Sequence, residues 1–147
     1  MDGAPEDAPG GARARRGYHH GNLREALVEA ALRLIAERGP QGFTMAEAAR
    51  EAGVSAAAPY RHFRSREDLI AELARRGFEL FADLLEMAWD EGRPTPLAAF
   101  ENVGRAYLAF ARKEPGHYVA MFESGAPVTQ DPALRAASDR AMGVMRA

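Results

Sequence analysis

The strongest structural signal in this 147-residue sequence is residues 44–63, TMAEAAREAGVSAAAPYRHF. Thr44 and Glu47 have the spacing of a capping box, in which a hydroxyl and a carboxylate satisfy free amides at the start of a helix. Gly53 falls where that helix must stop, because glycine adopts a left-handed backbone without steric penalty. Ser55 is placed to cap a second helix, so the stretch predicts a helix, a tight turn and another helix.

The second of these helices has the composition of a helix that enters the DNA major groove. Small side chains lead it and longer polar side chains follow, which permits close approach to base edges and reach to phosphates. Pro59 lies near its first turn and lacks a backbone donor, so we expect the helix start to shift by about one residue. Ser65 and Asp68 form a second capping box beside Arg64 and Arg66, a pattern that predicts a phosphate clamp.

The motifs FTMAEAAREAGVS and PYRHFRSREDL resemble the DNA-binding domain of TetR-type bacterial transcription regulators, over roughly residues 17–77. The resemblance implies an all-α protein, in which a three-helix helix-turn-helix domain is joined by a long helix to a helical ligand-binding and dimerisation domain. We predict that Ala56, Ala57, Ala58 and Arg61 read bases, and that Tyr60 and Arg66 contact phosphates. The complete set of expected DNA-binding residues is Arg16, His20, Thr44, Ser55, Ala56, Ala57, Ala58, Tyr60, Arg61, His62, Arg64 and Arg66.

Charge is distributed unevenly along the chain. The net charge is -2, yet residues 12–76 carry twelve arginines against eight acids, a local balance of +4. This distribution indicates one basic module on a nearly neutral body. Residues 1–16 are rich in glycine, alanine and proline and are predicted to be a disordered basic arm, which either contacts DNA or is a solvated tail. Adjacent His19 and His20 lack nearby cysteines or a carboxylate cluster, so we expect no metal site here. The resemblance to TetR-type regulators implies that this segment lies near the DNA backbone, and we therefore expect a phosphate contact.

Three segments organise the chain: the arm (1–16), the DNA-binding domain (17–77) and a partial effector and dimerisation domain (78–147). An apolar stripe from Leu23 to Ile35 predicts the first helix, with Asn22 as its cap. A long uninterrupted helix is predicted from Arg66 to about residue 91, and it links the two domains. Gly77 within that helix is either a bending point or a site of close approach by a neighbouring helix. Asp131 and Pro132 have the pattern of a cap and first position for the last helix.

The C-terminal half is rich in aromatic residues and methionine, which either form an ordinary core or line a cavity. Tyr107, His117 and Tyr118 add polar groups that can orient a small molecule among apolar neighbours. The resemblance implies such a pocket, without identifying its ligand. The residues predicted to bind a ligand are Met87, Phe100, Tyr107, Phe110, His117, Tyr118, Met121 and Phe122.

Several classes of protein are disfavoured by what the sequence lacks. Cysteine is absent, so there are no disulfides. No apolar run has the length of a membrane span or resembles a secretory signal, which favours the cytoplasm. We find no catalytic motif and expect neither enzymatic activity nor a cofactor.

The resulting interpretation is a ligand-responsive regulator, a repressor by resemblance, with double-stranded operator DNA, a small-molecule effector and a second copy of the chain as partners. Related regulators continue into two further long helices that form a dimer bundle, and these are absent from residues 1–147. The chain is therefore interpreted either as a fragment or as a protein that associates through other surfaces. The alternative function is a non-sequence-specific DNA-associating or adaptor protein, which would discriminate little between operator and random duplex.

Overall fold

The computed structural model describes residues 22–126 and 130–146, and the regular elements in these ranges are all helices. The predicted all-α fold is confirmed. The predicted arm, with Arg16 and His20, lies outside the described residues. The helices are α1 (Leu23–Arg38), α2 (Met45–Ala52), a 3₁₀ turn (Ala58–Arg61), α3 (Arg66–Trp89), a second 3₁₀ turn (Asp90–Gly92), α4 (Pro96–Lys113), α5 (Pro115–Phe122) and α6 (Pro132–Arg146).

Helix α1 turns its apolar stripe into the core, where Leu27 and Ile35 are fully buried. Its N-terminus differs from the prediction, because Asn22 makes no side-chain capping bond. The Asn22 backbone carbonyl instead accepts the Ala26 amide at 3.0 Å. The helix ends as expected at Gly39, whose amide donates to the Ile35 carbonyl at 2.9 Å. Burial of the stripe therefore holds α1, without a side-chain cap at its start.

The long helix α3 organises the whole molecule. Its 24 residues rise about 1.5 Å each, which gives a rod roughly 36 Å long. It packs against α1, α4, α5 and α6. Leu69 and Leu73 in its first half are fully buried, and so are Phe81 and Leu85 in its second half. Both halves belong to one continuous apolar core, and the boundary predicted between residues 77 and 78 falls inside this helix.

Helix α5 is wedged between α1 and α3, and two glycines make room for it. A Cβ added to Gly77 of α3 would lie 2.6 Å from the Met121 sulfur of α5. A Cβ added to Gly116 of α5 would lie 2.5 Å from the Leu32 carbonyl oxygen of α1. Helix α3 continues through Gly77 without interruption, so this glycine serves close packing rather than a bend.

Helix α6 begins with the predicted cap and is tied to α3 by charge. The Asp131 carboxylate accepts the amides of Ala133 and Leu134, both at 3.1 Å. In the second half of the helix, Arg140 donates to Asp83 at 2.6 Å and to Glu86 at 2.7 Å. The cap fixes where the helix starts, and the arginine fixes its position along the second half of α3.

Candidate functional site

The first half of the helix-turn-helix has the geometry that its sequence predicts. The Thr44 hydroxyl accepts the Glu47 amide at 3.1 Å, and the Glu47 carboxylate accepts the Thr44 amide at 3.0 Å, so the capping box is complete. Gly53 ends the helix at a φ of 77°, with its amide directed to the carbonyls of Ala49 and Arg50. Two hydrogen bonds lower the pKa of the Glu47 carboxyl group, mainly that from Arg38 and secondarily that from the Thr44 amide. The turn therefore leaves α2 at a fixed point.

The second half is a short 3₁₀ turn rather than an α-helix. An α-helix would need the residue 59 amide to donate to the Ser55 carbonyl, but Pro59 has no N–H. The Ala58 amide bonds that carbonyl instead, at 3.1 Å, which is the tighter 3₁₀ pattern. The predicted hydroxyl cap by Ser55 is thus replaced by a backbone bond, and no side chain caps this turn. Because Pro59 lacks an N–H, the element predicted to read DNA is only four residues long, and we call it the reading turn.

This 3₁₀ turn has an inner and an outer side. Ala58 is 5% exposed and Pro59 is buried, so both anchor the turn in the core. The structure therefore directs the methyl group of Ala58, which we predicted to read a base, into the core rather than outward. Tyr60 is 56% exposed. The outer side also presents the other expected contact residues of this segment, namely Ser55, Ala56, Ala57, Arg61 and His62.

One arginine braces the turn from behind, and a second braces the connection between α1 and α2. Arg24 of α1 donates to the His62 carbonyl at 3.2 Å and places its guanidinium 4.5 Å from the centre of the buried Phe63 ring. Arg66 of α3 donates to the carbonyls of Phe43 and Pro40 and stacks on the Phe43 ring at 4.7 Å. Arg66, assigned from the sequence to a phosphate, is thus directed inward with a side chain only 19% exposed. The sequence gives no signal for the role of Arg24, because its partners are distant along the chain.

The segment predicted to bind a phosphate, residues 64–68, forms one of the two hydrogen bonds of the expected capping box. The Ser65 hydroxyl accepts the Asp68 amide at 3.1 Å, which caps α3. The Asp68 carboxylate does not return to Ser65 but accepts the Arg64 amide at 3.0 Å. Within the described residues, the exposed side chains of Arg61 and Arg64 have no carboxylate partner. These two guanidinium groups are therefore the cations of the segment that are available to an anionic partner.

A carboxylate-centred network joins α1 to α3 beneath this surface. Glu72 is only 10% exposed and bonds Arg75 and Arg76, each at 2.7 Å. Arg76 also bonds Glu25 of α1. Burial opposes ionisation of Glu72, but the hydrogen bonds from Arg75 and Arg76 outweigh it and lower its pKa. Glu72 is therefore ionised at neutral pH. It joins the two helices through Arg76, which also bonds Glu25, and through Arg24 of α1 at 3.5 Å.

Replacing Glu72 with glutamine is expected to lower the free energy of unfolding by about 1–3 kcal/mol at pH 7, because charged hydrogen bonds are lost from a nearly buried site. The carboxylate stabilises the fold above its unfolded pKa, and that contribution is lost as the pH falls through its lowered folded pKa. Urea denaturation at pH 7 and at pH 3 measures the effect. The control is Glu79→Gln, which removes a 49%-exposed partner of Arg75. An equal loss in both variants would contradict the prediction.

The predicted ligand-binding residues differ widely in their exposure to solvent. Met87 and Phe100 are exposed, at 75% and 65%, whereas Phe110 and Met121 are buried. Tyr118 directs its hydroxyl to that of Tyr107 at 3.2 Å, a bond that raises the pKa of Tyr107. Most of the remaining aromatic rings pack on each other. The ring centres of Phe81 and Phe110 are 4.9 Å apart, and those of Tyr118 and Phe122 are 5.0 Å apart. The His117 ring bonds the Glu114 carboxylate at 3.1 Å.

A half-open cavity of about 230 Å³ lies beside this aromatic cluster, between the end of α3, the middle of α4 and the end of α6. Of the predicted ligand residues, Phe100 and Tyr107 line it and the other six do not. Sequence reasoning missed most of the lining because α6 contributes through distant packing, although a glycine inside α4 was a usable signal. The lining residues are Trp89, Phe100, Val103, Gly104, Tyr107, Val144 and Met145.

Two family models match the chain, one in its N-terminal half and one in its C-terminal half. The model for bacterial regulatory proteins of the tetR family matches residues 27–73. The model for the tetracyclin repressor-like C-terminal domain matches residues 100–147. Among the described residues, every helix is too short or too polar to cross a membrane.

Individual proteins show the same similarity over parts of their length. The HTH-type transcriptional regulator BetI of Agrobacterium fabrum is 50% identical over 52 residues, which are 35% of this chain and 25% of BetI. An uncharacterized HTH-type transcriptional regulator of Haemophilus influenzae is 34% identical over 73 residues, or 50% of this chain and 39% of that protein. A solved protein of unknown function from Rhodococcus sp. RHA1 superposes with a TM-score of 0.69 at 34% identity, covering 86% of this chain and 66% of that one. The chain thus spans less than half the length of these curated relatives.

Proposed function

Given that the chain belongs to the TetR family of bacterial regulatory proteins, we propose that it is a sequence-specific DNA-binding regulator of transcription. It acts in the cytoplasm as a repressor that leaves its operator when a small molecule binds its helical body. The observation that carries the proposal is the four-residue reading turn, which is anchored by buried Ala58 and Pro59 and presents Tyr60, Arg61 and His62 outward.

The chemistry of this surface fits a duplex. The exposed methyl groups of Ala56 and Ala57 allow close approach to the groove floor and contact with thymine methyl groups. Arg61 can donate in bidentate fashion to guanine, and Arg64 beside the capped start of α3 suits a phosphate. A turn held by Arg24 and anchored by buried Ala58 and Pro59 meets DNA already ordered, so little conformational entropy is lost on binding.

Operator recognition by this family of elements requires two copies. One four-residue turn covers few base pairs, and a symmetric reader places two recognition elements about one DNA turn apart. We therefore propose that the functional species is a homodimer and that its operator is a palindrome.

Selection from a random duplex pool, followed by anisotropy titration of the enriched sequence, tests the proposal. The expected result is a palindromic site bound at least roughly 10³-fold more tightly than random duplex, with affinity that falls steeply with salt. The matched control is Arg64→Ala, which is expected to bind every duplex more weakly while selecting the same site. Equal affinity for selected and random duplexes would reject sequence-specific regulation in favour of general DNA association.

A further inference from the structure

The cavity between α3, α4 and α6 has a lining suited to one class of ligand. Its surface is almost entirely carbon, contributed by Trp89, Phe100, Val103, Val144 and Met145. Of its two residues with polar tips, Tyr107 already shares a hydrogen bond with Tyr118. No charged side chain is among the described residues that line it.

We propose that this cavity binds an uncharged, predominantly hydrocarbon molecule of one or two rings. The inference rests on the proposed function, since it names the chemical class of the small molecule that releases the DNA. It also assigns the site to lining residues on three helices rather than to the aromatic cluster around Phe81 and Phe110.

The charge of the ligand follows from desolvation. A carboxylate or ammonium group placed against this lining, away from the open side, would lose its water and gain no opposite charge, so the interior of the cavity disfavours a charged group. An apolar molecule instead releases water from both surfaces. Trp89, Phe100 and Tyr107 supply ring faces and edges, which favour an aromatic or alicyclic guest.

The size of the ligand follows from the volume. An apolar cavity of about 150 Å³ accommodates benzene. The 230 Å³ available here exceeds that, so it holds a ring with substituents or a compact bicyclic molecule. A larger guest would extend through the open side past Phe100, which is 65% exposed.

Trp89 is the sole tryptophan of the chain, so its fluorescence reports occupancy of the cavity directly. The probes are indane, a neutral bicyclic hydrocarbon, and indane-2-carboxylate, its anionic analogue at neutral pH. Indane is expected to change the emission saturably, and the carboxylate is expected to bind at least about tenfold more weakly. Comparable affinity for the two probes would overturn the inference that the site excludes charge.

Two matched variants place the binding in this cavity. Gly104 and Gly143 both lie inside helices, and a Cβ at either meets nothing within 4 Å, so both positions have room for the start of a side chain, and Gly→Leu raises helix propensity at both. Only Gly104 lines the cavity. Gly104→Leu is expected to weaken indane binding at least about tenfold, whereas Gly143→Leu binds like the parent protein. Gly104→Ala serves as a smaller change with an intermediate effect.

Other outcomes separate this inference from the proposed function. If Gly104→Leu binds indane as tightly as Gly143→Leu does, the assignment of the cavity is overturned. If Gly104→Leu changes the sedimentation behaviour but leaves indane binding unchanged, the cavity is part of an interface between copies and the inference is overturned. Indane binding that leaves operator affinity unchanged would support the cavity assignment and reject the proposed release. No indane binding by a protein that still selects its operator would overturn this inference alone.

Discussion

Replacing Arg61 with alanine is expected to lower affinity for the preferred duplex by about 1–3 kcal/mol and to relax the preference at one base pair. Arg61 is the last residue of the reading turn, it is exposed, and no carboxylate of the described residues engages it. Truncation of a guanidinium that donates two hydrogen bonds to one guanine removes both bonds. The variant protein then discriminates less against other bases at that position. Binding-site profiles of parent and variant proteins, measured at one salt concentration, give both quantities.

The control is Arg64→Ala, because the two arginines are close along the chain and differ in the role assigned to them. Loss of a phosphate contact weakens binding to all duplexes alike and lowers the slope of log affinity against log salt by about one. Both side chains are exposed, so unfolding transitions should stay within about 0.5 kcal/mol of the parent. If Arg61→Ala keeps the shape of the site profile and only flattens the salt slope, Arg61 is a backbone contact.

Local chemistry explains what the sequence could predict about this surface. Thr44, Glu47 and Gly53 act on amides within a few residues of themselves, so their spacing alone locates helix α2 and the turn. The same holds for Asp131 at the start of α6. The long helix α3 was predictable because its apolar stripe runs without a break and its N-terminal cap is local.

Tertiary contacts explain what the sequence could not predict. Arg66 has the same sequence context whether it faces a phosphate or the Phe43 carbonyl, and only packing of the α1–α2 connection decides between them. Pro59 predicts a shift of one residue in the helix start, whereas its missing N–H leaves a four-residue 3₁₀ turn. Burial of Ala58 and Pro59 in the core is a tertiary contact that the local sequence does not reveal. The cavity depends on where α6 lies, and Val144 and Met145 carry no local signal of that position.

The contact between α5 and α1 identifies a route by which the helical body can influence the reading turn. Helix α1 carries Arg24, which holds the His62 carbonyl, and it meets α5 where Gly116 lies against the Leu32 carbonyl. Helix α5 also contacts α3 and α4, and both of these line the cavity. A ligand that displaces α4 or the end of α3 therefore has a packed path to α1, in addition to rigid movement of α3 itself.

Gly116→Ala is expected to lower the free energy of unfolding by about 1–3 kcal/mol, because the new methyl group would overlap a helix backbone that cannot move alone. Gly77→Ala is the matched control. Its methyl group would meet the side-chain atoms of Met121 and, at 3.2 Å, the Cβ of His117, rather than a helix backbone, and the gain in helix propensity of roughly 0.5–1 kcal/mol offsets part of the strain. Urea denaturation of the two variants should therefore show a larger loss for Gly116→Ala than for Gly77→Ala.

The same variant tests whether this contact carries the signal. Ligand and operator must weaken each other equally, with a coupling free energy of about 1–3 kcal/mol in a useful switch. If α5 transmits part of this coupling free energy through α1, Gly116→Ala is expected to shift operator affinity in the ligand-free protein. It is also expected to reduce the coupling, since the substitution already displaces α1. Effector titrations with and without operator DNA, on parent and variant, measure that coupling. A variant that loses stability yet keeps the parent's operator affinity and full coupling would show that Gly116 serves packing alone, and the signal would then have to travel through α3.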